Sequence, residues 1–164
     1  MATFTLQSND NQTFTVDYAV VRQSKMFTEM FKHIGIDATQ GLEEPIPLPN
    51  LNGAILKKVV EFCEYHKNDP ILGNPDEVEP HAFKLSDWQT EFMKVDDDKL
   101  YDLIMAANYL EIPLLLETGS KKLAEKLKGK TPNELRKMMG IEEEYDPKIE
   151  EEVIKELGWD KDIE

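Results

Sequence analysis

The spacing of apolar positions along this chain changes several times, and each change marks an element. Phe4 and Leu6, then Phe14 and Val16, alternate with polar neighbours at period two, with Ser8-Asn9-Asp10-Asn11 between them. Alternation on both sides of turn-forming residues predicts a β-hairpin. Asp17 is placed to cap a short helix, and Ser24 a second one carrying Met26, Phe27, Met30 and Phe31 on one side. Pro45, Pro47 and Pro49 bracket Ile46 and Leu48, and prolines so spaced allow only an edge strand or extended piece over 43–50.

Beyond that point the period lengthens. Asn50 is expected to cap a helix with Leu51, Ile55, Val59, Phe62 and Cys63 on one face. Periodicity fades over 67–87, where Pro70, Gly73, Pro75 and Pro80 predict a long, flexible surface loop. Order resumes over 88–92. A helix beginning near 96–98 presents Leu100, Leu103, Ile104, Ala107 and Leu110, and its leading aspartates complement the helix dipole. Pro113 opens the next helix, which carries Leu115, Leu116, Leu123, Ala124 and Leu127 and stops at Gly129. Thr131-Pro132-Asn133-Glu134 is a capping box for a short helix with Leu135, Met138 and Met139, ending at Gly140. Asp146-Pro147 caps a last helix bearing Ile149, Val153, Ile154 and Leu157, which ends at Gly158 just before Trp159.

These elements predict an α+β core over residues 1–128 and a helical extension over 129–164 that is too short to build a core alone. The helix from Pro113 has apolar positions to spare. Leu116, Leu123 and Leu127 form one stripe with Ser120 among them, and Leu115, Gly119 and Ala124 form a second. The extension adds Leu135, Met139, Ile141, Tyr145, Ile154, Leu157 and Trp159. Either the extension folds back over these positions, or helices of another chain complete the layer. Periodicity leaves both open.

Composition narrows the function. The net charge is −14, from 33 acidic and 19 basic side chains, and such a surface repels phosphate backbones and anionic lipid. Neither a nucleic acid nor a membrane is expected as partner, and no apolar run approaches the ~20 residues that span a bilayer. One cysteine forbids an intramolecular disulfide, and Met1–Leu6 shows no leader pattern, so a cytoplasmic and nuclear protein is expected.

Catalytic chemistry finds no foothold. Cys63 and His66 stand i, i+3 as half of a zinc site, but no second pair would close a tetrahedron, and a buried cysteine beside an exposed histidine is expected instead. Gly129-Lys130-Thr131 resembles the end of a phosphate-binding loop, yet Ala124 stands where its first glycine belongs. One helix stop followed by one helix cap accounts for the same residues. No Gly-x-Ser-x-Gly occurs, and the runs Glu142-Glu143-Glu144 and Glu150-Glu151-Glu152 read as solvated faces. Neither an enzyme nor a cofactor is expected.

Several stretches together resemble the Skp1 family. They are Pro45-x-Pro47-Leu48-Pro49-Asn50, Ala54-Ile55-Leu56-Lys57-Lys58-Val59, Trp88-Gln89-x-Glu91-Phe92-x-Lys94-Val95-Asp96, Ala106-Ala107-Asn108-Tyr109-Leu110, Lys128-Gly129-Lys130-Thr131-Pro132 and Trp159. Elongin C shares the first part of that pattern but lacks the capped tail. The resemblance implies a BTB/POZ fold with two additional C-terminal helices. It implies a non-catalytic adaptor of an SCF-type ubiquitin ligase, which joins a cullin, and through it a RING protein, to F-box receptors.

Carried over by position, Asn108 and Tyr109 would stand on the cullin face, with Leu100, Tyr101 and Ile104 as neighbours. Leu116, Ser120, Leu123, Leu127, Met139, Ile141 and Trp159 would stand on the F-box face. The family usually has cysteine at Ser120, valine at Leu123 and an aromatic residue at Met139, so receptor preference is expected to differ. Weak self-association of the free chain, and modification at Pro147, are further expectations of the resemblance. The alternative is a stand-alone BTB-like module that forms homo-oligomers and binds no cullin.

Overall fold

The computed structural model describes residues 2–71, 84–142 and 146–158. The first sixteen residues form the expected hairpin, from β1 (Thr3–Ser8) and β2 (Thr13–Asp17). Phe4 lies opposite Val16 and Leu6 opposite Phe14, so the alternating apolar residues share one face. Phe4, Leu6 and Val16 are buried. The strand β3 (Ile46–Leu48) pairs parallel with β1 and lies at the sheet edge, in the order β2-β1-β3. Pro47 is tolerated there because an edge strand has one side free of partners.

Helices cover this small sheet. Asp17 caps α1 (Tyr18–Val21), and Ser24 caps α2 (Lys25–Ile34), each with a side chain that accepts a backbone N–H. The next helix, α3 (Gly53–Tyr65), starts later than the expected cap at Asn50. Its cap is Asn52, whose side chain accepts from Ile55 N at 2.9 Å. Leu51 is buried but not helical: its amide donates to the Leu48 carbonyl at 3.2 Å, closing a turn after β3. Its helical spacing from Ile55 is therefore a coincidence of two elements meeting one core.

Ser86 and Gln89 form a capping box for α4 (Asp87–Phe92), so this helix begins just before the expected ordered stretch. The helix α5 (Asp97–Tyr109) packs against α3 and turns its Leu100, Leu103, Ala106 and Ala107 into the core. At its end Glu111 takes a left-handed backbone (φ 52°), and Pro113 opens α6 (Pro113–Leu127). This corner is tied back to the start of α2, since the Ser24 hydroxyl donates to the Leu110 carbonyl and the Lys25 amide to the Glu111 carbonyl. The expected loop over 67–87 falls mostly on residues 72–83, which lie outside the described residues.

Two compact units make up the chain, Met1–Lys126 and Leu127–Glu164. The second holds α7 (Pro132–Met138) and α8 (Pro147–Leu157), and neither helix buries a side chain. Both have the caps expected from sequence. Thr131 and Glu134 form a reciprocal capping box, Asp146 accepts from Lys148 N, and Gly158 ends α8 with φ 70°, a backbone that residues bearing a Cβ rarely adopt. Together the small sheet and eight helices among the described residues make an α+β, BTB/POZ-like architecture followed by two further helices.

Candidate functional site

Helix α5 separates a buried side from a wet one at helical spacing. Its wet side carries Asp102, Met105 and Asn108, all exposed, with Met105 at 64% the most exposed large apolar residue among the described residues. A lone apolar side chain so open to water is unremarkable, but here it borders a concave surface. That surface is a groove of about 400 Å³ with α5 as one wall. The start of α3 and the turn before it form the other wall, through Asn50, Asn52 and Ile55, and Asn9 of the hairpin turn closes one end. Asn108 and Tyr109 both line it.

The far wall is fixed by the hairpin turn. The Asp10 carboxylate accepts from the Gly53 amide at 2.8 Å and from the Ser8 hydroxyl at 2.5 Å, and Gln12 Nε2 donates to its other oxygen at 2.9 Å. The Asn9 amide donates to the Leu51 carbonyl at 2.8 Å. Led by the Ser8 hydrogen bond, the donors to Asp10 hold its carboxyl below its ordinary pKa.

The five residues expected on this side divide. Asn108 is exposed and Tyr109 half-buried, and both line the groove. Leu100 is fully buried at 0% exposure, which corrects its place in the expected face: it packs in the core and holds α5 in position. Tyr101 and Ile104 are half-buried. The Tyr101 hydroxyl is shut off from solvent without a hydrogen-bond partner among the described residues. Ile104 lies against Gly119 of α6, where a Cβ would come within 2.7 Å of Ile104 Cγ1. Asp102 and Met105 were not anticipated. They stand one turn before Ala106 and Tyr109, and the spacing of Met105 three residues before Asn108 and four before Tyr109 on one helix is the sequence signal that would have found it.

On α6, Leu116, Ser120 and Leu123 follow one another around a single side, with Ser120 exposed and both leucines half-buried. Leu127, also half-buried, is the last residue of the helix. A smaller hollow of about 130 Å³ is lined by Asn108, Glu111, Pro113 and Leu116. One residue from each expected face therefore meets at the α5–α6 corner. In the second unit Met139 and Ile141 are exposed at 45% and 50%. Ile149, Val153 and Leu157 form an exposed apolar stripe at i, i+4, i+8 along α8. Trp159 lies outside the described residues, as do Tyr145 and Glu143.

His66 differs from expectation, being 6% exposed. The end of α3 places it among Phe62, Tyr65 and Trp88, with Nδ1 2.5 Å from Asp69 Oδ2 and Nε2 3.4 Å from the Gln89 amide. Ring contacts bury it, and two polar partners make that burial tolerable. Cys63 is buried as expected, and burial pushes its thiol up to about 12. Among the described residues no group of three or more His, Cys, Asp or Glu could hold a metal ion, and no helix is long and apolar enough to cross a membrane.

Comparison with known proteins agrees with this architecture. Two family models match the chain: the Skp1 family tetramerisation domain over residues 2–68 and the Skp1 family dimerisation domain over residues 113–160. The E3 ubiquitin ligase complex SCF subunit sconC of Talaromyces stipitatus is 39% identical over 159 residues, 96% of each chain. Suppressor of kinetochore protein 1 of Schizosaccharomyces pombe is 37% identical over 165 residues, 99% of each chain. A Skp1-related protein of Caenorhabditis elegans is 38% identical over 159 residues, 96% of this chain and 90% of its own. With both family domains matched and relatives aligned almost end to end, this chain belongs to the Skp1 family.

Proposed function

We propose that this chain is the adaptor subunit of an SCF-type cullin-RING ubiquitin ligase, bridging the N-terminal domain of a cullin to F-box receptors and catalysing no reaction itself. The observation that carries this reading is the near end-to-end likeness to a relative named as an SCF ligase subunit. The groove along α5, with Asn108 and Tyr109 in its lining, is the cullin-facing surface. The side of α6 bearing Leu116, Ser120 and Leu123 serves the F-box, as do Leu127, Met139, Ile141 and Trp159. Exposed apolar side chains suit such a role because their burial drives association, and methionines adapt to differently shaped partners. A single, buried cysteine suits work in the reducing cytoplasm and nucleus.

Co-elution tests this directly. The intact chain is mixed with an F-box receptor and a cullin N-terminal domain, beside an Asn108→Lys, Tyr109→Lys double variant and a Leu123→Arg variant. A ternary complex is expected, with the double variant losing only the cullin and Leu123→Arg weakening only the receptor. Failure of the intact chain to bind either partner would sink the reading.

A further inference from the structure

The groove beside α5 is polar and carries one negative and no positive charge. One carboxylate (Asp102) and four carboxamides (Asn9, Asn50, Asn52 and Asn108) line it, and no lysine, arginine or histidine does. The Asp102 side chain is exposed, and its carboxylate makes neither a hydrogen bond nor an ion pair among the described residues. The carboxamides of Asn9 and Asn50 are exposed, and that of Asn108 is too. Asn52 Oδ1 accepts from the Ile55 amide, which leaves it one lone pair for a further donor. Beside these polar groups the lining is apolar, with buried Leu51, Ile55 and Ala106.

We propose that this groove is a guanidinium site: it takes an arginine side chain of the protein that docks on α5. The proposal rests on the reading of α5 as the cullin face and adds which side chain the groove receives. A guanidinium offers five N–H donors in a planar fork and no acceptor, so it can give to Asp102 and to neighbouring carboxamide oxygens together. Its methylene stem lies favourably on the apolar lining, which includes Met105. An ammonium presents its donors tetrahedrally from a point and keeps its water more tightly, so it uses the same acceptors less well. The net charge of −14 adds a long-range pull on any cationic segment.

The test uses the full chain and a blocked Gly-Arg-Gly tripeptide, with Gly-Lys-Gly and Gly-citrulline-Gly as controls, titrated by NMR. The arginine peptide is expected to shift the side-chain amide resonances of Asn50, Asn52 and Asn108. Citrulline, which keeps the shape and loses the charge, should bind roughly tenfold or more weakly, and Asp102→Asn should weaken the arginine peptide by roughly 3- to 10-fold. Asp102 is exposed, so its substitution leaves the fold intact, and Asn50→Ala provides a second variant with the same expected direction. Equal binding of citrulline or lysine, or shifts that avoid the groove, would overturn the guanidinium assignment. Co-elution with the cullin domain is scored separately. If the cullin binds while the arginine peptide does not, the site fails and the adaptor reading stands.

Discussion

The Asp10 carboxylate and the Gly53 amide, 43 residues apart in sequence, are joined by a 2.8 Å hydrogen bond. It pins the hairpin turn to the first turn of α3 and so sets one wall of the α5 groove. Asp10 lies in a turn and Gly53 at a helix N-terminus, where a backbone N–H lacks an intrahelical partner. One carboxylate answers both needs.

Acidification should undo this link. Hydrogen bonds, led by that from Ser8, lower the folded-state pKa of Asp10, so its contribution is present above the ordinary carboxylate pKa and lost as pH falls through the lowered value. Urea midpoints of the protein and of Asp10→Asn should differ at neutral pH, and the difference should shrink below about pH 4. A pH-independent difference would show that the charge is not what binds the turn.

Gly119 should not accept a larger residue. An added Cβ would meet Ile104 Cγ1 at 2.7 Å, so Gly119→Ala is expected to cost roughly 1–3 kcal/mol by denaturant titration. Ile104→Ala removes the obstructing atom. The double variant should then be more stable than the sum of the two single losses allows, whereas strict additivity would mean that α5 and α6 simply move apart.

Tyr101→Phe should leave stability unchanged or raise it by up to about 1 kcal/mol. The hydroxyl is buried without a partner among the described residues, so the native state gains little from it. A loss above about 1 kcal/mol would reveal a partner for that oxygen.

Met105→Glu places a charge on the most open apolar residue of α5. Under the proposed adaptor role, affinity for a cullin N-terminal domain should weaken by roughly tenfold or more, with affinity for an F-box receptor untouched, as read by calorimetry against each partner. Equal losses for both partners would mean that the two faces are not independent.

Alkali should act through Cys63. Burial raises the native thiol from 9.0 to about 12, so the stability gained by keeping it neutral is intact below about 9 and drains as pH rises towards 12. Cys63→Ala should be less stable at neutral pH, by about 1–2 kcal/mol, and should lack this alkaline component. Parallel alkaline slopes for the two proteins would refute the assignment.

Local signals were the legible ones. The Thr131–Glu134 capping box, the Asp146 cap and the stop at Gly158 rest on residues within one turn of each other, and each stands where sequence put it. Legibility ended where distant elements share a core. Leu51 looked helical because it and Ile55 meet the same interior from a turn and a helix. His66 looked exposed because nothing adjacent announces that Trp88 and Gln89 return to cover it. Leu100 stood on the apolar side of its helix by spacing and was carried onto the cullin face only by the resemblance, and it lies in the core. The groove itself depends on Asn9, Asn50 and Asp102 converging from three separate segments, and no spacing within a segment encodes that.

The two C-terminal helices bury no side chain, so their start and stop residues, rather than packing, define where each begins and ends. Mutations along their apolar sides can therefore accumulate without erasing the helices, provided Thr131, Glu134, Asp146 and Gly158 persist. Such an arrangement separates heritable shape from heritable taste. Under the proposed adaptor role, receptor preference would be retuned residue by residue while the same two rods are inherited.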